Sequence, residues 1–534
     1  MGIFDNIMKK FNGEDTKKSK ERDEKAAIPK DVEKSVKALK EIFMDCDDIV
    51  YREFSVGEEQ EFKMALICID GLSDKMLIND FILEELMHAA RDTKPNGESV
   101  KSRLFELTKR GTLAVTELKE TDDLNEAITS ILSADTVLFV DGYDKAIIIG
   151  TKMWPARNTS EPKAEGVVRG PSDGFVETMR FNTALVRRRI RDPRFKIKQK
   201  RVGVRSKTDI AVLYIDDIVN KDVLKRVFDR LNDIDIDGIL ESGYIEQLIE
   251  DNVFSPFPQV QATERPDTVA AAILEGRIGI IVDNSPFVLI VPATLSNLFI
   301  SIEDYYQRWL VSSLVRGIRL AAGIMSFTLP SLYIAITSYQ PDIIPTRFAL
   351  AIAGSREGVP FPAFIEAFLM EITLELLREA GVRLPDPLGA TIGIVGGIVI
   401  GQAAVTAKIV SPIMVIIVSL TTISSFIIPN YGVTTGFRIL KFGLMIFASV
   451  LGLYGIMLGI ILLLIHLVNL KSFGVPYLAP FVSSKARDFK DSVVRFPIST
   501  FIYRPEYLHV NNKKRMKKMS LRNKYDYSSG RNEE

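Results

Sequence analysis

Histidine is nearly missing from this chain, with 3 in 534 residues, and cysteine with 2. A catalytic site built on imidazole has little to draw on. Neither a Cys/His metal cluster nor a disulfide framework can be assembled from such a supply. No phosphate-cradling glycine loop and no nucleophile elbow occur. The reading is therefore of a protein that is not an enzyme, with no catalytic residue, no metal and no cofactor. Cys46 and Cys68 fit a reducing compartment, and Cys68 sits in an apolar run as a small core residue. The first 25 residues hold no apolar stretch long enough for a signal peptide, and Asn6 stands where a myristoylation start wants Ser or Thr. The amino terminus is expected to stay in the cytoplasm.

A second absence is local. Lys plus Arg and Asp plus Glu balance at 68 each, yet residues 387–470 contain no Asp or Glu, and only Lys408, Arg438 and Lys441 as formal charges. Soluble cores of that length with so few charges are rare, so a polytopic α-helical membrane domain is expected over 311–470. Candidate spans lie near 317–339, 388–407, 409–429 and 440–468. At about 1.5 Å per residue each approaches or exceeds the roughly 30 Å of a hydrocarbon core. Pro330 is expected to kink the first. Arg316 and Arg319 precede the first span, and Lys408 separates the second from the third. Lys471, Lys485, Lys513, Lys514, Arg515, Lys517 and Lys518 follow the last, in a basic tail over 471–534. This pattern puts both ends in the cytoplasm. Arg438 and Lys441 then fall on the far side, against the rule.

The charge-rich part reads differently. Residues 1–40 are a charged extension expected to be disordered. Beyond them, a soluble α/β region of two tandem similar subdomains is expected, at 41–165 and 201–310, joined by a helical segment over 166–200. Ala65–Asp70 and Ala211–Asp216 are apolar strands ending in Ile-Asp, each followed by a helical pattern; the first helix is read from Asn79 to about Ala90. Two hairpins begin at Thr136 and Ile278, turning at Asp141-Gly142 and Asp283-Asn284-Ser285-Pro286. Starts at 65 and 211, and at 136 and 278, give offsets of 146 and 142, which point to a duplication.

Three features carry candidate function. The run Arg187, Arg188, Arg189 and Arg191 reads either as a solvated helix face or as a contact for anionic lipid or a partner. No aromatic stacking platform accompanies it, so nucleic acid is not expected. Gly389, Gly393, Gly397 and Gly401 form one stripe of the second span, suited to close helix packing, or to lining a narrow path with Gln402 and Thr406 nearby. Residues 361–381 make an amphipathic helix with Glu371, Glu375 and Glu379 four apart. That row either faces bulk water or, in a homo-oligomer, forms rings of carboxylates along a cation path. Glu366, nearer the apolar face, is a further candidate for that path.

Several segments, in this order and spacing, resemble the A subunit of the GerA family of spore germinant receptors. They are Arg169-Gly170-Pro171 with Gly174-Phe175-Val176-Glu177, Asn182 with the arginine run, and Arg265-Pro266-Asp267. Further along come Glu275-Gly276-Arg277 through Ser285-Pro286, Asp304-Tyr305-Tyr306, Arg356–Pro362 and Gly401–Val405. A related accessory family, the stage V sporulation protein AF, shares the architecture. The resemblance implies a place in the inner membrane of dormant endospores, with a transporter-like B subunit and a lipoprotein C subunit as partners. It also implies nutrient triggering, oligomerisation and release of monovalent cations.

Three functions are compatible with these residues. The first is a ligand-gated cation-conducting element. The second is a non-conducting scaffold or signal-transducing subunit of the receptor or of an accessory germination channel complex. The third, a solute carrier, would want an inverted repeat, and Pro330, Pro412 and Pro429 supply only possible breaks.

Overall fold

Along Phe62–Ile69, Met64, Leu66 and Cys68 enter one buried cluster while Ala65, Ile67 and Ile69 enter another. Side chains of a strand alternate between faces, so both faces of its sheet are covered. The computed structural model describes residues 26–56, 62–83, 118–153, 162, 165–383, 399–482 and 485–516. It divides into two units. The first takes the described parts of Met1–Glu250, Val260–Pro292 and Phe501–Glu534; the second takes Asp251–Gln259 and Ala293–Thr500.

The first unit holds two antiparallel sheets of five strands. Strands β1 (Ile49–Val56), β2 (Phe62–Ile69), β3 (Leu118–Thr121), β4 (Thr136–Val140) and β5 (Ala146–Ile149) lie in the order β1-β2-β4-β5-β3. Strands β6 (Phe195–Val202), β7 (Thr208–Ile215), β8 (Gln261–Thr263), β9 (Ile278–Val282) and β10 (Val288–Val291) lie in the order β6-β7-β9-β10-β8. The two orders are the same. β1 and β6 begin at 49 and 195, and β2 and β7 at 62 and 208, 146 apart in each case; β4 and β9 begin at 136 and 278, 142 apart. The tandem pair expected from sequence is present strand for strand.

Helices cover the sheets. α1 (Val32–Ile42) and α2 (Leu124–Leu132) close one face of the first, capped by Asp31 and Asp123, whose carboxylates accept backbone N–H groups. The last part of the 1–40 stretch expected to be disordered is therefore folded instead, with Val32, Val36 and Leu39 buried in the core. A π-helical turn, Leu77–Leu83, covers the other face. The helix expected from Asn79 to Ala90 runs past residue 83 and so lies outside the described residues beyond that point. α3 (Met179–Arg187) leads into the second subdomain, which carries α4 (Lys221–Asn232), α5 (Ser242–Ile249) and α6 (Pro266–Glu275). Pro266 opens α6 and Gly276 closes it in the left-handed region, φ +103°, where Val510 packs so closely that a Cβ has no room. Val510 belongs to the carboxy-terminal segment. Arg504 Nε donates to Leu274 O at 2.8 Å, and Asn511 N–H donates to Ile218 O at 3.0 Å. The basic tail read over 471–534 therefore divides: residues 501–516 pack into the first unit, and 485–500 belong to the second.

The second unit is helical. α7 (Trp309–Ser338) spans 30 residues and runs on through Pro330. α8 (Thr346–Ser355), α9 (Ala363–Arg383), α10 (Pro412–Phe426) and α11 (Tyr431–Asn469) follow, with residues 399–406 also helical. α7 and α11 are long and apolar enough to cross a membrane. Ile416, Ile423, Phe426, Val450, Met457 and Ile465 stand more than half exposed, an apolar surface that water would not leave uncovered. α10 has 15 residues, shorter than the 409–429 stretch read from sequence, because Ser411 caps its own start and Asn430, soon after its end, caps the start of α11.

The stretch near 440–468 is not one rod. Gly452 sits at φ 59°, ψ −137° inside α11, a conformation open only to glycine. On a straight helix, residues 444 and 459 would stand about 22 Å apart. Here a Cβ on Gly459 would lie 2.5 Å from Leu444 Cδ1. Phe437 and His466 both lie against Phe257, at ring distances of 5.6 and 6.3 Å. α11 is therefore a hairpin of two arms with Gly452 at its tip. The tip rests on the end of α7, where Gln340 Oε1 accepts from Leu453 N–H at 3.4 Å. Arg438 and Lys441, which the sequence pattern left on the far side, sit low on the first arm, at the end where the second arm leaves. Replacing Gly452 with Ala is expected to cost about 1–3 kcal/mol in backbone strain alone. The new Cβ would also meet Tyr339 Cβ at 3.0 Å. Thermal unfolding of the chain in detergent should show a melting point lowered by several degrees, whereas Gly443→Ala, in open space, should leave it unchanged.

Candidate functional site

The acidic row of α9 turns inward. Glu371, at 1% exposure, accepts from Lys441 Nζ on the first arm of α11, and its other oxygen, Oε1, is buried without a partner among the described residues. One turn on, Glu375 accepts from Arg438 Nε at 3.1 Å and from Arg378 at 3.4 Å, with Lys441 Nζ at 3.9 Å. Residues four apart on one helix face meet residues three apart on an antiparallel neighbour, so the two rows form a ladder. Glu366, in the first turn, is fully buried; it accepts from Arg356 Nη2 at 3.0 Å and from Ser411 N–H at 2.9 Å, tying α9 to the start of α10. Glu379 is exposed and paired with Arg383 one turn along.

The other sequence candidates scatter. Gln402 is exposed. Gly401 is buried, with Val415 Cγ1 at 3.7 Å from where its Cβ would be. Gly389, Gly393 and Gly397 lie outside the described residues. The arginine run is not one face. Arg187 is fully buried, its guanidinium forked onto Asp48, so it cannot meet lipid or a partner. Its place at the carboxy end of α3 points it between the two subdomains. Arg189 is held by both oxygens of Asp173 at 2.7 Å. Arg188 and Arg191 are exposed.

A second charged cluster escaped the sequence reading. Asp304 accepts from Arg316 Nε at 3.0 Å and from Arg319 Nη1 at 2.9 Å, and Arg316 also reaches Asp491 at 2.8 Å. All but Asp491 are at least nine-tenths buried. Arg316 and Arg319 read from sequence only as topology markers. The signal was Asp304, 12 residues ahead of Arg316, where an acid beside a span requires a cation.

Polar side chains also hold backbone in the first unit. Asn182 accepts from Val176 N–H at 2.9 Å, and Arg265 Nη2 donates to Pro171 O at 2.9 Å. Beside Arg265, burial pushes the Glu165 carboxyl up to about 7, although it accepts from Thr263 and from Glu264 N–H. Burial, with Glu250 and Glu241 close by, likewise raises Glu246 to about 7. Burial pushes the Cys68 thiol up to about 11, as suits an unreactive core residue.

Residues 37–507 match the family described as Bacillus/Clostridium GerA spore germination protein. Spore germination protein B1 of Bacillus subtilis (strain 168) is 43% identical over 90% of this chain and 97% of its own length. Spore germination protein KA of the same organism is 40% identical over 93% of this chain and 90% of its own. Spore germination protein A1 is 46% identical over 75% and 81%. Among solved structures, the N-terminal domain of the A subunit of the Bacillus megaterium spore germinant receptor GerK3 matches 51% of this chain and 98% of that one. The identity there is 33% and the TM-score 0.41.

Proposed function

We propose a function from one premise: the chain belongs to the Bacillus/Clostridium GerA spore germination protein family. In this reading it is a membrane subunit of a nutrient-responsive germination receptor. It oligomerises, works with a transporter-like B subunit and a lipoprotein C subunit in the spore inner membrane, and forms a gated path for monovalent cations. The observation that carries conduction is the ladder of Glu371 and Glu375 against Lys441 and Arg438. Ionisable groups are costly inside a bilayer and are kept there for ion paths or switches. Paired, the ladder locks α9 to the first arm of α11. Parted, it leaves two carboxylates for each chain, which in a ring select cations. A nutrient opens the path only by binding the parted state more tightly.

One observation favours the alternative of a non-conducting scaffold. Every carboxylate of the ladder already has a basic partner within the same chain, so the rungs serve equally as a rigid brace. Potassium-loaded liposomes carrying the chain with its partner subunits separate the two. Nutrient-triggered efflux that Glu375→Gln changes by roughly tenfold supports the path, one ion pair being worth about 1–3 kcal/mol of coupling. Efflux indifferent to Glu371→Gln and Glu375→Gln in a nutrient-binding complex assigns conduction elsewhere.

A further inference from the structure

An apolar cavity of about 370 Å³ opens in the second unit between α7 and the second arm of α11. Among the described residues, Arg316 is the one charged residue in its wall. From Arg316 the lining follows α7 through Leu320 and Ile324 to Thr328, 12 residues and so about 18 Å of helix. Leu464 faces it from α11. Ile324 is 52% and Leu464 50% exposed, so the mouth is continuous with the uncovered apolar flank of these helices. The charged end is unsaturated. Arg316 Nη2 is buried with no hydrogen-bond partner among the described residues, although Nε and Nη1 are engaged. Arg495 adds a third guanidinium beside Tyr305, 5.4 Å from its ring, so Arg316, Arg319 and Arg495 outnumber Asp304 and Asp491 by one positive charge. A buried guanidinium N–H without an acceptor is expensive and marks a place for one.

We propose that this cavity binds one anionic membrane phospholipid, with an acyl chain along α7 and the phosphate on Arg316. An apolar slot of this length, open sideways to the bilayer and ending in surplus positive charge, matches an amphiphile with one acidic end. A zwitterionic headgroup would bring its own cation into the excess. The idea rests on membrane insertion of the second unit but not on conduction.

The test uses the full chain reconstituted in vesicles of equal phosphatidylglycerol and phosphatidylcholine, then extracted in mild detergent for native mass spectrometry. The expected result is one retained phosphatidylglycerol per chain, preferred over phosphatidylcholine by roughly tenfold, as one charge-assisted contact provides. Leu464→Trp, which plugs the mouth without touching the ion cluster, should abolish retention. Ile461→Trp, equally exposed but outside the lining, should not. Arg316→Lys should keep the fold's charge and lose most of the preference. Equal retention of the two lipids, or retention indifferent to Leu464→Trp, overturns the proposal. So does a change in oligomer size on Leu464→Trp with lipid unaffected, which makes the occupant a second copy. Alkaline extraction separates the premises: a chain that resists it yet holds no lipid fails this proposal alone, and a chain released by it fails the membrane reading too.

Discussion

Arg187→Met, with Asp48 kept, is expected to lower the stability of the chain by about 3–5 kcal/mol, the range for breaking a buried ion pair from one side. Arg187 Nε and Nη2 donate to the two oxygens of Asp48 at 2.8 and 2.7 Å, and Nη1 donates to Phe195 O at 2.7 Å. The guanidinium also lies over the Phe195 ring, 4.6 Å from its centre. Asp48 precedes β1 and Phe195 opens β6, so one side chain joins the edges of both sheets. Backbone joins them too: Asp47 N–H donates to Ile197 O at 2.9 Å and Ile197 N–H to Asp45 O at 3.1 Å. Methionine fills the volume but leaves Asp48 as a buried carboxylate without donors, which is why the loss exceeds that of a surface pair. The double variant Arg187→Met with Asp48→Leu removes the orphaned charge and should recover much of the loss. Chemical unfolding of the chain in detergent, followed by hydrogen exchange at β1 and β6, reads the effect. A single-variant loss below about 0.5 kcal/mol, as surface changes give, would show that the pair is not an anchor.

The same arginine shows what sequence withholds. In a run with Arg188, Arg189 and Arg191 it looks like one charge among four on a wet surface. What separates it is Asp48, 139 residues earlier, and no local pattern points there. The duplicated sheets were legible because strand alternation and turn chemistry are local, and because a duplication repeats them at a fixed offset. Membrane-like helices were legible from composition. The hairpin of α11 was not. A run from 440 to 468 is long enough for one tilted span, and Gly443, Gly452, Gly455 and Gly459 look alike until one of them adopts a positive φ. The inward turn of the acidic row failed for a related reason. Glu371, Glu375 and Glu379 share a spacing, and only the positions of Lys441 and Arg438, about one turn apart on α11, decide which of the three are buried. Arg438 and Lys441 had already broken the topology rule in the sequence pattern, and that misfit was the sign that they answered to partners rather than to a membrane face.

Lys441→Met should have the largest effect within the helical unit. Glu371 is then left at 1% exposure with one oxygen already unpartnered and its cation gone. Breaking a buried pair from one side costs about 3–5 kcal/mol, a large part of what holds most domains folded. Folded yield, measured as monodisperse protein after detergent extraction, is expected to fall at least tenfold, since about 1.4 kcal/mol already gives that factor. Glu371→Gln with Lys441→Met removes both charges and should restore most of the yield, because neither group is then orphaned. That double variant also distinguishes a latch from a brace. If the Glu371–Lys441 rung holds a closed state, removing about 1–3 kcal/mol of coupling shifts the closed-to-open equilibrium by about 5–150-fold. Liposomes carrying the well-folded double variant with its partner subunits should then leak potassium without nutrient, while Glu379→Gln, on the exposed face, should not. A double variant that folds and stays tight at rest would make the ladder a brace and leave gating to other contacts. Both measurements are needed together, because a chain that leaks only where it also misfolds says nothing about a gate.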